Sequence, residues 1–285
     1  MPPWRGTLWS VAISIPDLEQ RAALGWRAPE EERLGDWLLR AAGGFTGRAN
    51  SALALGDPGR PLDEAAAVVR DWYQARGLPP MIAIPYPAGR PHAVAADRFL
   101  AEQGWGVRSG TATVMTAPVG QVARTAGPVP ADRVEVAPAP DAAWLAQYHY
   151  RGQQELPLIA RQVLTSAPWQ AFASIRAAGQ TIAIGRVAAA SGWAGLTAIE
   201  VAPGHRRRGL ATVVTAALAA RAVAQGAAHL YLQVEDDNQA ARALYGRIGF
   251  AAHHDYHYRI APGPESRAPP PGTADRPAGP GRLGG

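Results

Sequence analysis

The chain has no cysteine, and its 28 Lys+Arg residues are all arginine. Without cysteine there is no disulfide framework, no thiolate metal site and no thiol nucleophile, which removes covalent acyl-cysteine chemistry. Without lysine, the formal net charge of +5 rests on arginine alone. Together with abundant Ala, Gly and Pro this points to a GC-rich coding bias, so the basic balance is a weak sign of nucleic acid. No apolar run approaches the ~20 residues that a membrane span needs, and "MPPWRGTLWSVAISIPDLEQ" lacks a small-residue cleavage pattern. A soluble cytoplasmic protein is expected. What is present suits folding: 285 residues, 47% of them hydrophobic, can build one large domain or two ordinary ones.

Two stretches are too rich in Pro, Gly and small residues to be expected in a core. They predict a linker over residues 117–133 and a disordered tail over 261–285. Two blocks remain, 16–116 and 134–260. The second opens with a strand in "RVEVAPA", a helix capped by Asp141 and a further helical stretch, "QQELPLIARQVLTSAP". Three strand-like runs separated by turn signals at Ala178-Gly179 and Ser191-Gly192 then predict an antiparallel meander. After Pro203 the period changes. Leu210, Val213, Val214, Ala217, Leu218 and Ala222 recur at helical spacing and predict a helix that stops near Gly226. A buried strand, "AAHLYLQVE", precedes a short helix capped at Asp236 or Asp237, and "AHHDYHYRI" closes the sheet.

The first block repeats the end of this plan: helix in "PLDEAAAVVRDWYQARGLPP", strand in "MIAIPYP", helix in "AVAADRFLAEQGWGV", strand in "RSGTATVMTAP". A shift of 145 lays "ADRFLAEQGW" over "ARALYGRIGF" and Gly104-Trp105 over Gly249-Phe250. A recurring element order at near-fixed spacing argues for a duplicated unit.

The segment "VAPGHRRRGLATVV" is a recipe for holding phosphate. The first turn of a helix leaves N–H groups without partners, its dipole is positive there, and Gly209 and Ala211 let oxygens approach the backbone. Cations at that end of a helix are misplaced unless an anion joins them. The histidines do not suggest a metal: His253, Asp255 and His257 at alternate strand positions spread over about 13 Å, too far to share one ion. Exposed or substrate-side histidines are expected instead. "GGFTGRANSALALG", with Arg48 and Asn50 as polar anchors, looks like a structural hairpin whose Asn satisfies local backbone groups; the alternative is that this block forms part of the acceptor site.

Arg206-Arg207-Arg208-Gly209-Leu210-Ala211 fits R/Q-x-x-G-x-G/A at a strand-to-helix junction, and "VEDDNQAARALYGRIGF" follows it at a distance. This order resembles the GCN5-related N-acetyltransferase (GNAT) superfamily over residues 134–260, with the first block similar to a degenerate second copy. At the equivalent of the arginine loop that block reads "ALGDPGRPLDEA", which should not hold pyrophosphate. The resemblance implies an α/β fold of two GNAT-like units, each a mixed, mostly antiparallel sheet flanked by helices. It implies transfer of an acetyl group from acetyl-CoA, as co-substrate and without a metal, to a primary amine of a small molecule or protein by direct attack on the thioester.

By the same resemblance the loop from Arg206 to Ala211, including Arg207, Arg208, Gly209 and Leu210, would take the pyrophosphate. Val201 would offer backbone groups to the pantetheine and thioester, and Asn238 would contact the pantetheine arm. Tyr245 would protonate the leaving thiolate. Some relatives have Glu at the position of Gln233, which cannot accept a proton; Glu200 is the substitute base, with Glu235 or a water next. Plainer readings stand beside these: Asn238 as a helix cap, Tyr245 as a core aromatic, Glu200 as an arginine partner. The partner expected is an amine-bearing acceptor, with no nucleic acid and no membrane; oligomeric state is left open. Alternatives are a non-catalytic acyl-CoA-binding regulatory module and a protein N-terminal acetyltransferase. A nucleic-acid module rests only on the arginines.

Overall fold

A computed structural model of the chain describes residues 13–127, 133–150 and 155–263. Its first helix, α1 (Ile15–Gly25), starts where Ser14 Oγ accepts from Asp17 N and Pro16 fits the first turn. Strands β1 (Glu30–Leu34) and β2 (Trp37–Ala41) form a hairpin, and β3 (Ala52–Leu53) follows. Then come α2 (Leu62–Gln74), β4 (Met81–Pro87), α3 (Ala95–Glu102), β5 (Gly106–Val107), β6 (Ala112–Pro118) and α4 (Val119–Ala126). The second half supplies β7 (Glu135–Ala137), α5 (Ala142–Gln147), α6 (Ile159–Leu164), β8 (Gln170–Ala177), β9 (Gln180–Ala190) and β10 (Trp193–Val201). It ends with α7 (Leu210–Ala224), β11 (His229–Glu235), α8 (Gln239–Arg247) and β12 (Ala251–Ile260).

The strands make one mixed sheet in the order β1-β2-β3-β4-β12-β6-β11-β10-β9-β8-β7, with β5 against the end of β12. Two neighbouring pairs are parallel, β3 with β4 and β10 with β11. Each needs a crossover, which α2 and α7 supply. The centre of the sheet is interleaved. β6, from the first half, lies between β11 and β12; β12, from the second, lies between β4 and β6. The two halves therefore complete one sheet together, each lending its last strand to the other.

This interleaving corrects the expected linker. Residues 117 and 118 finish β6, and 119–126 form α4, whose Val119 and Val122 are buried in the core of the second half. Small residues do not prevent burial when two valines three positions apart share one helical face. Residues 128–132 of the expected linker and 264–285 of the expected tail lie outside the described residues.

Apolar packing follows the same plan. One cluster belongs to each half, around Leu218 and Leu232 in the second and around Val69 and Ile82 in the first. Two more mix the halves, one uniting Leu18 and Leu53 with Tyr231, the other Trp26 and Phe45 with Trp144 and Phe172. Arg186 on β9 is fully buried at this joint, donating to Gly25 O (3.0 Å) and Leu164 O (2.7 Å). These carbonyls end α1 and α6, where helix dipoles are negative, so two helix termini take the place of a carboxylate. Burial still draws its guanidinium down to about 10.

The histidines of β12 are not exposed as expected. His254 is buried with Nε2 3.0 Å from Glu19 Oε1 of α1, and His253 Nδ1 lies 2.8 Å from His254 Nδ1. His257 Nε2 lies 2.6 Å from Asp97 Oδ1, which also accepts from Arg259 Nε at 2.7 Å. Burial pushes the Asp97 carboxyl up, but the bonds from Arg259 and His257 outweigh it and hold it below the ordinary carboxylate range. Asp97 on α3 thereby locks the exchanged strand β12 onto the first half.

Candidate active site

β10 and β11 pair over only three residues, Trp193–Gly195 against His229–Tyr231. Gly195 is required there, since a Cβ would fall 2.3 Å from the Tyr231 ring. Beyond that point the strands part. A bulge between Thr197 and Glu200, with Ala198 at φ 53°, turns the end of β10 outward. The opening leads into a cleft of about 840 Å³ between the end of β10, the start of α7 and one face of α8.

The sequence-predicted residues gather here, with one exception. Val201, Arg206, Arg207, Gly209, Leu210, Ala211, Asn238, Tyr245 and Glu200 all line the cleft. Arg208 is exposed and does not. Arg207 takes φ 60° and Gly209 φ 74°, the latter with no atom within 4 Å of where a Cβ would stand. The loop is thus wound left-handed twice before α7 begins, at a site with open space above it. No side chain caps α7, and its first turn carries no acid. The first bond at the helix start is Val213 N to Gly209 O, 3.1 Å, so the amides of Leu210, Ala211 and Thr212 lack intrahelical acceptors. Arg206 is fastened to the strand end by Nε donating to Val201 O (3.2 Å), which leaves its terminal nitrogens for an anion. This donor set fits a pyrophosphate.

Asn238, not Asp236 or Asp237, caps α8: its Oδ1 accepts from Ala241 N at 3.1 Å. The cap leaves the side-chain amide as a donor on the cleft wall. Tyr245 is buried, edge-on to Phe250 at 5.7 Å. Burial pushes its phenol well above the ordinary tyrosine value, so it keeps its proton at neutral pH.

Glu200 has a partner that the sequence reading missed. His149 Nδ1 lies 2.7 Å from Glu200 Oε1, and His149 N donates to Oε2 at 2.9 Å. With the carboxylate ionised, Nδ1 must carry the proton, which leaves Nε2 as an acceptor. Side-chain exposures of 41% for His149 and 23% for Glu200 keep both in reach of a substrate. Glu200 faces the cleft, while His149 faces a second pocket of about 280 Å³ that also holds Arg48, Gln233 and Glu235. The signal in the sequence was "YHY" at 148–150, a histidine between two aromatics just past the end of α5. Asn50, by contrast, is structural: it accepts from Ala42 N and Gly44 N and donates to Phe45 O and Thr46 O.

Compared with known families, residues 13–259 match the one described as "Probable histone acetyltransferase Rv0428c C-terminal". The chain belongs to this acetyltransferase family. Its members include a protein of Mycobacterium tuberculosis named probable histone acetyltransferase, 31% identical over 86% of this chain and 73% of its own length. An uncharacterized N-acetyltransferase of Bacillus subtilis is 28% identical over 86% of this chain and 98% of its own length. In fold the chain is similar to a GCN5-related N-acetyltransferase from Kribbella flavida, with TM-score 0.63, 18% identity and coverage of 90% of this chain and 98% of that one. A tandem GNAT protein of the clavulanic acid pathway gives TM-score 0.56 at 16% identity over 74% of each chain. The α/β fold is thus the one these GNAT proteins have, and an acyltransferase activity goes with the family matched. No helix among the described residues is long and apolar enough to cross a membrane.

Proposed function

We propose that the chain transfers an acetyl group from acetyl-CoA to a primary amine, with the unit formed around residues 134–260 as the catalytic one and the first half as its degenerate copy. The observation that carries this reading is the Glu200–His149 pair, which stands between an anion-binding cleft and a separate pocket. The loop from Arg206 to Ala211 takes the pyrophosphate through Arg206 and the backbone groups that line the cleft, with Arg208 outside it. Val201 and Asn238 line the path of the pantetheine arm. A neutral amine in the second pocket attacks the thioester carbonyl carbon, so a C–N bond forms and the C–S bond breaks. His149 Nε2 takes the proton that the nitrogen sheds, while Glu200 holds the ring and stabilises its cationic form. Tyr245 gives its phenolic proton to the departing sulfur and is reprotonated from solvent.

Gln233 favours the alternative of a non-catalytic acyl-CoA-binding module, because an amide cannot take a proton. The His149–Glu200 pair supplies that function from another strand and a neighbouring loop, which favours turnover. Relatives carry both histone and streptothricin in their names, so relatives' names leave protein and small-molecule amines equally open.

The test is release of CoA thiol from acetyl-CoA with a panel of primary amines, in wild type and His149→Gln. Turnover with at least one amine, and a fall in kcat of about a hundredfold or more in the variant with acetyl-CoA still bound, is the expected result. Tight acetyl-CoA binding without thiol release on any amine overturns the reading.

A further inference from the structure

The second pocket is polarised. On the second-half side stand His149, bonded to Glu200 of the neighbouring cleft, and Glu235 at the end of β11; on the first-half side stand Arg48 and Arg108. Among the described residues neither arginine meets a carboxylate. Arg48 lies over the Trp26 ring at 4.8 Å, and Arg108 over the Tyr258 ring at 5.3 Å. Arg108 Nη1 otherwise reaches only the Met81 sulfur, at 3.7 Å, a weak acceptor. Aromatic faces fix where a guanidinium sits while leaving its N–H edge unspent, which is the arrangement that recognises an oxyanion by two parallel bonds.

The surroundings hold these forks in place. Gly47 is tied to the second half by donating to the Tyr150 hydroxyl at 3.2 Å. A Cβ on Gly47 would fall 2.7 Å from Arg108 Nη1, so glycine here admits that guanidinium beside the turn that carries Arg48. Glu19, the carboxylate in the small void behind Arg48, is bonded to His254. Tyr148 lies between the poles. Burial pushes its phenol up to about 12, while Arg48 draws it down and Glu200 pushes it up. One side chain thus feels the cation and the Glu200 carboxylate with opposite sign.

We infer that the acceptor is a small amine that also carries an oxyanion, a carboxylate or a phosphate, which Arg48 and Arg108 hold while the nitrogen meets His149. This rests on the acetyl-transfer reading above. A lysine-rich peptide would bring further cations against two arginines and is the wrong acceptor on this ground.

The experiment compares kcat/KM for matched pairs of amines: amino acids against their amides, aminoalkyl phosphates against aminoalkyl alcohols, and a lysine-rich peptide. The anionic member of at least one pair is expected to be preferred by about ten- to a hundredfold, the size of one or two charge-assisted bonds. The carboxylate and phosphate arms identify the source of the oxyanion. In Arg48→Gln the preference should fall towards unity, and Arg48→Lys should restore part of it; Arg108→Gln gives the same readout on a residue outside the turn. Equal kcat/KM within every pair, or a preference for the lysine-rich peptide, overturns the inference while leaving acetyl transfer intact. Absence of turnover on every amine, with acetyl-CoA still bound, overturns acetyl transfer and this inference with it.

Discussion

In the first half, β3 leads through Gly56–Gly59 into α2; in the second, β10 leads through Arg206–Gly209 into α7. Both helices begin beside the end of a parallel strand pair, where free amides and the helix dipole call for negative charge. The first half supplies it from within. Asp57 Oδ1 accepts from Gly59 N (2.8 Å), Asp36 Oδ2 accepts from Asp57 N (2.9 Å), and Asp63 and Glu64 occupy the first turn of α2. The Gly35-Asp36 turn closes over this loop so tightly that a Cβ on Gly35 would lie 2.4 Å from Pro58. The second half supplies no anion, keeps open space above Gly209 and adds three arginines. The same difference recurs at the proposed acid, because a shift of 145 sets buried Leu100 over Tyr245. In the first half, carboxylates of its own stand around the helix start; in the second, that space is left open.

The contrast can be broken in several ways. Tyr245→Phe should lower kcat by about a hundredfold or more, the lower range for a lost general acid. Acetyl-CoA affinity, measured by calorimetry, should stay within about twofold, since a phenol-to-phenyl change keeps the packing against Phe250. In the first half, Asp97→Asn should act on stability, by about 3–5 kcal/mol, because it strands Arg259 in a buried site. The sign with pH follows from the lowered carboxyl. Its stabilisation is complete above the ordinary Asp value of about 4 and is lost as pH falls towards the lower folded value, so denaturant midpoints should converge in acid.

Arg206→Ala combined with Gly209→Glu should weaken acetyl-CoA binding by about ten- to a hundredfold. Asp57→Ala, at the corresponding loop of the first half, should lower the melting temperature and leave that affinity alone. An equal loss of affinity in Asp57→Ala would dissolve the contrast between the halves. The smallest effect concerns Asn238. Asn238→Ala should cost about 1 kcal/mol of stability as a lost cap. Asn238→Asp keeps the cap acceptor and removes only the amide donor, so a raised acetyl-CoA Kd in that variant identifies a pantetheine contact.

Much of this was legible along the chain because it depends on neighbours in sequence. The helix from Leu210, the three meander strands, the strand over Met81–Pro87 and the arginine loop all follow from local period and turn chemistry. What was not legible depends on distant partners. Val119 and Val122 are core residues only because the second half covers them, and His254 and His257 are buried only because Glu19 and Asp97 reach them across about 160 to 235 residues. Glu200 could be singled out from its strand, but His149 sits past the end of α5, where no period marks it. Arg48 was visible as a polar anchor of its turn; only the aromatic rings around it give it a direction.

The interleaved centre of the sheet also sets an order in time. β4 and β6 leave the ribosome long before β12, the strand that must lie between them, and β6 waits likewise for β11. During synthesis the nascent first half carries three strand edges that wait for partners, one of β4 and both of β6, and closure comes only with residues 251–260. Pairings of such long sequence separation are slow to form, so the late insertion of β12 is the step at which a chaperone has most to protect and a truncation has most to lose.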